Sequence, residues 1–125
     1  MLLLDTNIVI EFWKRNPAIR ANLQGFSPED LFISIVTEAE LLVGARDTQD
    51  LRLIQRDVKL LRILPLEPAI GALAIELLTA HALSQRLKLA DALIAATALH
   101  HRLPLFTLNR KDFRYIAGLP LHEPT

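Results

Sequence analysis

Apolar residues in this chain follow two patterns: short unbroken runs, and longer stretches where they recur every three or four positions. The short runs read as buried strands and the longer stretches as helices. MLLL, residues 1–4, is a strand that ends at Asp5. Residues 6–14 read as a helix, with Asp5 or Thr6 available as its cap. A short polar helix follows Pro17, and Ser27–Asp30 (SPED) is a turn. Leu31–Ser34 (LFIS) is a second strand. Val36–Arg46 is helical, with Thr37 placed to cap it, Val36, Ala39 and Val43 as its apolar face, and Gly44 near its end. Residues 48–61 carry Ile54, Val58 and Leu61 on one stripe. Arg62–Leu66 is a third strand bounded by Pro68, and strongly helical patterns cover Ala69–Leu83 and Ala90–His101. Leu103–Thr107 is a fourth strand, and LPLH at 119–122 offers a fifth. Strands alternating with helices predict an α/β protein of three layers, α/β/α, around a central, mainly parallel sheet of four or five strands.

Composition narrows the class. With 125 residues the chain is expected to form one domain, 1–125, with a real core. No apolar run approaches the ~18 residues of a membrane span, so no membrane association is expected. The N-terminus lacks the basic flank of a signal peptide and meets Asp5 after four residues, which fits a cytoplasmic protein. Zero cysteines exclude disulfides, thiolate metal sites and a cysteine nucleophile. The net charge is zero, so no global basic field announces nucleic acid; if several acids gather in one pocket, the remaining surface leans basic. Four glycines form neither a GxGxxG element nor a P-loop.

The placement of acids then changes the picture. Asp5 stands between two hydrophobic blocks, where an unpaired carboxylate is costly to desolvate. Open parallel sheets bind ligands beyond the carboxyl ends of their strands. Asp5 ends the first strand, and Thr107, followed by Asn109 and Asp112, ends the fourth. In ADALIAATALHH, Asp91 lies within the apolar arc of Ile94, Ala95, Ala98 and Leu99; it is either a helix cap or a functional acid, and the alanines around it let another backbone approach. Glu38 and Glu40 border opposite edges of their helix's apolar face, and periodicity prefers neither. Clustered carboxylates repel unless a hard cation with oxygen ligands holds them, which points to Mg²⁺ or Mn²⁺. The histidines are poorly placed for such a site: His100 and His101 are expected to face solvent at a helix end, and His81 and His122 look incidental.

LLLDTN, ISIVTEAELLVGA, ADALIAATA and LFTLNRKDF, in that order and spacing, resemble a PIN-domain ribonuclease, specifically the VapC-type toxin of toxin–antitoxin pairs. The resemblance covers nearly the whole chain. It implies that Asp5, Glu40 and Asp91 bind metal and favours Glu40 over Glu38. Many relatives carry a fourth acid where this chain has Asn109, so Asn109 adds a carbonyl ligand without charge and Asp112 becomes the candidate for the missing carboxylate. Thr6, Asn7, Thr107 and Ser34 are implied as phosphate-facing or supporting residues. Arg86, Lys88, Arg110, Lys111 and Arg114 are the candidate cations for positioning RNA. The implied chemistry is attack by metal-activated water on an RNA phosphodiester, leaving 5′-phosphate and 3′-hydroxyl ends. Single-stranded loops of tRNA, rRNA or mRNA suit a recessed acidic site better than duplex does. The implied partners are a VapB-type antitoxin lying across helices near the site and a second copy in a homodimer, consistent with apolar residues such as Phe12, Trp13, Leu53 and Leu60 in excess of one helix face. Three alternatives stand beside this reading. A receiver domain requires an acceptor Asp after the third strand, where RILPLEP has none. A haloacid-dehalogenase-like phosphatase requires an Asp at the position of Asn7. A non-catalytic interaction module leaves the acids unexplained.

Overall fold

In the computed structural model, which describes residues 1–125, four strands alternate with six helices. The strands β1 (Leu2–Leu4), β2 (Leu31–Ser34), β3 (Arg62–Leu64) and β4 (Leu105–Phe106) form one sheet in the order β3-β2-β1-β4. Every pairing in it is parallel. Helices α1 (Thr6–Trp13) and α2 (Pro17–Leu23) connect β1 to β2, α3 (Ile35–Val43) and α4 (Thr48–Val58) connect β2 to β3, and α5 (Pro68–Gln85) and α6 (Leu89–His101) connect β3 to β4.

The near-continuous apolar strands make sense because both faces of the sheet are covered. Successive strand residues point to opposite faces. Leu2, Leu4, Leu31, Ile33 and Phe106 pack into one core with Ile8, Val9, Ile19 and Leu23 of α1 and α2 and with Val58 of α4. Leu3 and Leu105 point the other way, against Ile94, Ala95 and Ala98 of α6 and against Phe113 and Ile116 beyond β4. A third core, around Ile70, Ala74, Ala92 and Ala96, lies between α5 and α6. Thus α6 is packed on the sheet by one side and on α5 by the other, and its alanines permit both approaches.

Several boundaries differ from the expectation. β3 stops at Leu64 because Pro65 has no N–H for the ladder, and β4 starts at Leu105 after Pro104 for the same reason. The Pro104 carbonyl still accepts from Leu3 N at 2.9 Å. LPLH contributes only a single parallel bridge, Leu105 to Leu121. α4 ends at Val58, since residues 59–61 must turn the chain into β3. α3 begins at Ile35 with Ser34, not Thr37, as its cap. Its buried residues are Thr37 and Leu41, while Val43 is 86% exposed. Apolar residues run all round this helix, so composition alone could not identify the face turned inward.

The strand order places the reversal at β1: the chain moves from β1 to β2 and β3 on one side, then returns to pair β4 on the other. The crevice of such a sheet opens beyond the carboxyl ends of β1 and β4.

Candidate functional site

Asp5 follows β1 and is 5% exposed. Its two oxygens are used separately. Oδ1 accepts from the Thr6 N–H at 2.8 Å and caps α1, and Oδ2 accepts from the Thr107 hydroxyl at 2.7 Å. Thr107 Oγ1 in turn accepts from the Asn109 N–H at 3.0 Å. The ends of β1 and β4 are therefore joined through one carboxylate. Asn7 adds a long contact across the same crevice, its Oδ1 lying 3.5 Å from the Leu108 N–H.

Glu40 reaches this end of the sheet from α3. Its Oε1 accepts from the Thr6 hydroxyl at 2.6 Å, and Thr6 Oγ1 also lies 3.1 Å from Thr37 Oγ1. Thr6 has a single hydroxyl proton, and the carboxylate is the stronger acceptor. The Thr37 hydroxyl consequently donates to Thr6, making a chain Thr37–Thr6–Glu40. Asp91 stands in the first turn of α6, three residues after the cap position Lys88, and so does not cap the helix. No hydrogen bond is made by its carboxylate. Asp112 lies in a short 3-10 turn, Arg110–Asp112, that Asn109 precedes.

These acids feel one another. Burial pushes the Asp5 carboxyl up; the hydrogen bonds from Thr107 and Thr6 oppose that, and Glu40 and Asp112 add to it. Asp91 is raised to about 6, first by burial and then by Asp5, Asp112 and Glu40, with Lys88 opposing. No ion pair neutralises Asp5, Glu40, Asp91 or Asp112. Four uncompensated carboxylates beside an amide, with no thiolate or imidazole among them, fit a hard divalent cation. The predicted cations divide differently. Arg110 is turned away, donating to the His122 carbonyl at 2.8 Å and to Glu123 at 2.7 Å. Arg86, Lys88, Lys111 and Arg114 remain exposed and outside any ion pair.

Residues 2–119 match the family model of the PIN domain. The chain belongs to the PIN-domain family. Solved structures share the fold over nearly the full length of this PIN domain. A toxin–antitoxin complex from Klebsiella pneumoniae is 31% identical, covers 100% of this chain and 98% of its own, and has a TM-score of 0.81. FitAcB from Neisseria gonorrhoeae is 28% identical with coverages of 99% and 98% and a TM-score of 0.79. VapBC-1 from nontypeable Haemophilus influenzae is 27% identical with coverages of 98% and 96% and a TM-score of 0.81. No curated protein matches.

Two features of the PIN domain were not anticipated. Thr37 is fully buried beside Thr6, and Tyr115 reaches close enough to Asp91 and Asp112 that, after burial, their charges raise its hydroxyl pKa. Neither residue type stands out in a hydrophobic pattern. The histidines also differ from expectation. His100 contacts Glu67, and with His101 they form a trio whose ligand atoms all lie within 4.8 Å of one another, while the Nε2 atoms of His101 and His122 are buried without a partner. The trio joins the start of α5 to the end of α6, the far end of α6 from Asp91, and the four acids are spread more widely than this.

Proposed function

We propose that this PIN domain, acting as one unit over residues 1–125, is the VapC-type toxin of a cytoplasmic type II toxin–antitoxin pair and a metal-dependent endoribonuclease. The observation that carries the reading is the set of four unneutralised carboxylates, Asp5, Glu40, Asp91 and Asp112, gathered at the switch point of the sheet. The family match and the similarity to toxin–antitoxin complexes support it.

Asp5, Glu40 and Asp91 would hold Mg²⁺ or Mn²⁺, with Asp112 and the Asn109 carbonyl completing the set. Such an ion would supply a water of lowered pKa, the chemistry needed to hydrolyse a phosphodiester to 5′-phosphate and 3′-hydroxyl ends. The protein's own part is orientation. Asp5 is fixed by the Thr6 N–H and Thr107, so its position does not depend on the ligand. Glu40 is held by the Thr6 hydroxyl, and Thr37 prevents that hydroxyl from turning elsewhere. Asp91 keeps both oxygens free for a ligand or a proton. Thr6 and Asn7, at the N-terminus of α1, face the substrate phosphate, where the helix dipole favours negative charge. RNA is steered by Arg86, Lys88, Lys111 and Arg114, whereas Arg110 serves the C-terminal segment.

A groove of about 600 Å³ between α1, α3 and α4 supports an antitoxin partner. Ile10, Trp13, Leu53 and Ile54 give it an apolar floor, Arg46 and Asp50 a polar rim, and Glu40 lies in its wall, so a segment seated there reaches the acids. Antitoxin-free protein is expected to cleave single-stranded RNA in Mg²⁺ or Mn²⁺, to be silent in excess chelator, and to leave ends that accept ligation to a 3′-hydroxyl without prior phosphorylation. Undiminished cleavage in chelator overturns the reading.

A further inference from the structure

A cleft opens from the Asp91 and Asp112 side of the acid cluster towards the α5–α6 turn. It has a volume of about 260 Å³ and is lined by Gln85, Arg86, Leu87 and Lys88 of the α5–α6 turn, by Tyr115, and by Asp91 and Asp112 of the acid cluster. Two of its walls are therefore acidic and belong to the candidate metal site, while the opposite wall is cationic. Lys88 is close enough to Asp91 to lower its pKa. Neither Arg86 nor Lys88 has an acidic partner, and each is exposed. Arg86 ends α5 in the left-handed conformation, φ 58° and ψ 35°, a position that glycine fills more easily. Arg102 ends α6 in the same way, so the conformation marks a helix end, and from it Arg86 lines the mouth of the cleft. The Tyr115 ring is braced from outside the cleft by an edge contact to His81, with ring centroids 4.8 Å apart. An aromatic ring held in place, a pair of free cations and a polar amide beside a phosphodiester-cleaving centre form the combination that binds one unpaired nucleotide.

We propose that this cleft holds a single unpaired nucleotide of the RNA next to the scissile phosphate, its base against the Tyr115 ring and its outer phosphate on Arg86 and Lys88. The proposal rests on the ribonuclease reading and adds to it the residues that select an unstacked base. A base held by its partner and its stacked neighbours in a duplex cannot lie against the Tyr115 ring without unpairing, so the subsite favours single strands. Gln85, with both a donor and an acceptor, is placed to bias the choice of base.

The test compares wild type, Tyr115→Leu and Tyr115→Phe on a short single-stranded RNA and on the same RNA made abasic at one position at a time, in Mg²⁺. For wild type, one abasic position adjoining the cut is expected to raise KM about ten-fold, the size of one lost base–ring stack, with kcat little changed. Tyr115→Leu should raise KM by a similar factor on the intact RNA and be indifferent to that abasic position, whereas Tyr115→Phe should behave like wild type. Lys88→Gln should raise KM equally at every sequence and flatten its salt dependence. If wild type cuts but the effects of Tyr115→Leu and the abasic position multiply independently, or Tyr115→Leu has no effect, the subsite is refuted and the nuclease stands. If wild type does not cut any of these RNAs in Mg²⁺ or Mn²⁺, the nuclease reading falls and takes the subsite with it. The abasic RNA changes nothing in the protein, so a folding defect in a variant cannot imitate the expected result.

Discussion

A carboxylate with no hydrogen bond, partly buried and surrounded by three like charges gives the most direct reading of what the site costs the fold. That residue is Asp91. Its position in the first turn of α6 favours its charge through the helix dipole, yet burial and then Asp5, Asp112 and Glu40 hold its pKa at about 6. In the unfolded chain the value returns to 3.8. Between the two, the folded protein keeps a proton that the unfolded chain has lost, so stability declines as pH rises from about 4 to about 6 and the full cost is present above that. In chelator at pH 7, Asp91→Asn is expected to be more stable than wild type by about 1 kcal/mol, solvent screening of a partly exposed group having removed the larger part of the nominal cost. The gap should close near pH 4. Taking the difference between the two proteins matters, because His122, whose pKa burial lowers, pulls stability the other way on acidification in both. Asp5→Asn should gain less, since its amide must face Thr107 Oγ1, which already accepts from Asn109. Both variants should lose cleavage by about 100-fold or more. Chemical denaturation across pH, beside RNA cleavage in Mg²⁺, checks this; an Asp91→Asn protein destabilised at every pH yet still active makes Asp91 scaffolding. At this scale Asp5 and Asp91 stood out because charge within an apolar run or stripe is anomalous, Asp112 was marked only by its place after the fourth strand, and Glu40 was separated from Glu38 only by the family resemblance. Thr37 and Tyr115 were not: a buried threonine is the size of a valine and its hydroxyl's partner lies 31 positions away, and Tyr115 matters through what folds beside it.

Elements were legible in kind and less so at their ends. All four strands and all six helices fall where the apolar periodicity predicts them, because strands covered on both faces and helices on a sheet each leave a distinct period. Proline decided where β3 and β4 stop and start, a backbone effect that side-chain polarity does not encode. The inward face of α3 was misjudged for a related reason: Thr37, a polar residue, is part of it, and Val43 is not. α6 tests the packing argument. Ala95 is 0% exposed against the sheet and Ala96 is 0% exposed against α5, so the helix has no free side on which a larger residue can relax. Ala95→Leu and Ala96→Leu should each cost about 2 kcal/mol or more, because overpacking a fixed helix–sheet spacing forces strained rotamers or backbone shifts. Ala80→Leu on the exposed side of α5 should stay within about 0.5 kcal/mol. Urea midpoints at constant slope measure all three. Equal midpoints for Ala95→Leu and Ala80→Leu contradict the account of why α6 is alanine-rich.

At the scale of the whole molecule, strand order was the step that local pattern did not carry. That ligands bind at strand ends followed from the fold class, but the return of β4 to the free edge of β1, which brings Thr107 to Asp5, depends on which sheet edge remains open when the last strand arrives. Surface hydrophobicity also redistributes at this scale. Phe12 and Trp13, expected to be surplus, pack against the core beneath α1. Leu53 and Leu60, the other two expected to be surplus, are 42% and 71% exposed, and a further uncovered apolar stretch lies on α5, where Ile75 and Leu83 are 63% and 99% exposed beside Ala72. Leu83 standing free on the same helix as the exposed Ile75 is the kind of surface a second copy covers. The proposed homodimer is therefore expected to form through α5, away from the α1–α3–α4 groove assigned to the antitoxin. Sedimentation at micromolar concentration should give twice the 14.1 kDa of the chain. Leu83→Glu, which buries a charge in the interface if the assignment is right, should sediment as a monomer and keep its fold, since nothing in the monomer covers that side chain. Leu53→Glu, in the other groove, should remain dimeric and lose antitoxin capture. A dimer that survives Leu83→Glu and Ile75→Glu places the contact elsewhere, and a wild-type monomer removes it. The two substitutions give opposite results only if the two surfaces are separate, which is the arrangement that lets a toxin be dimeric and inhibited at the same time.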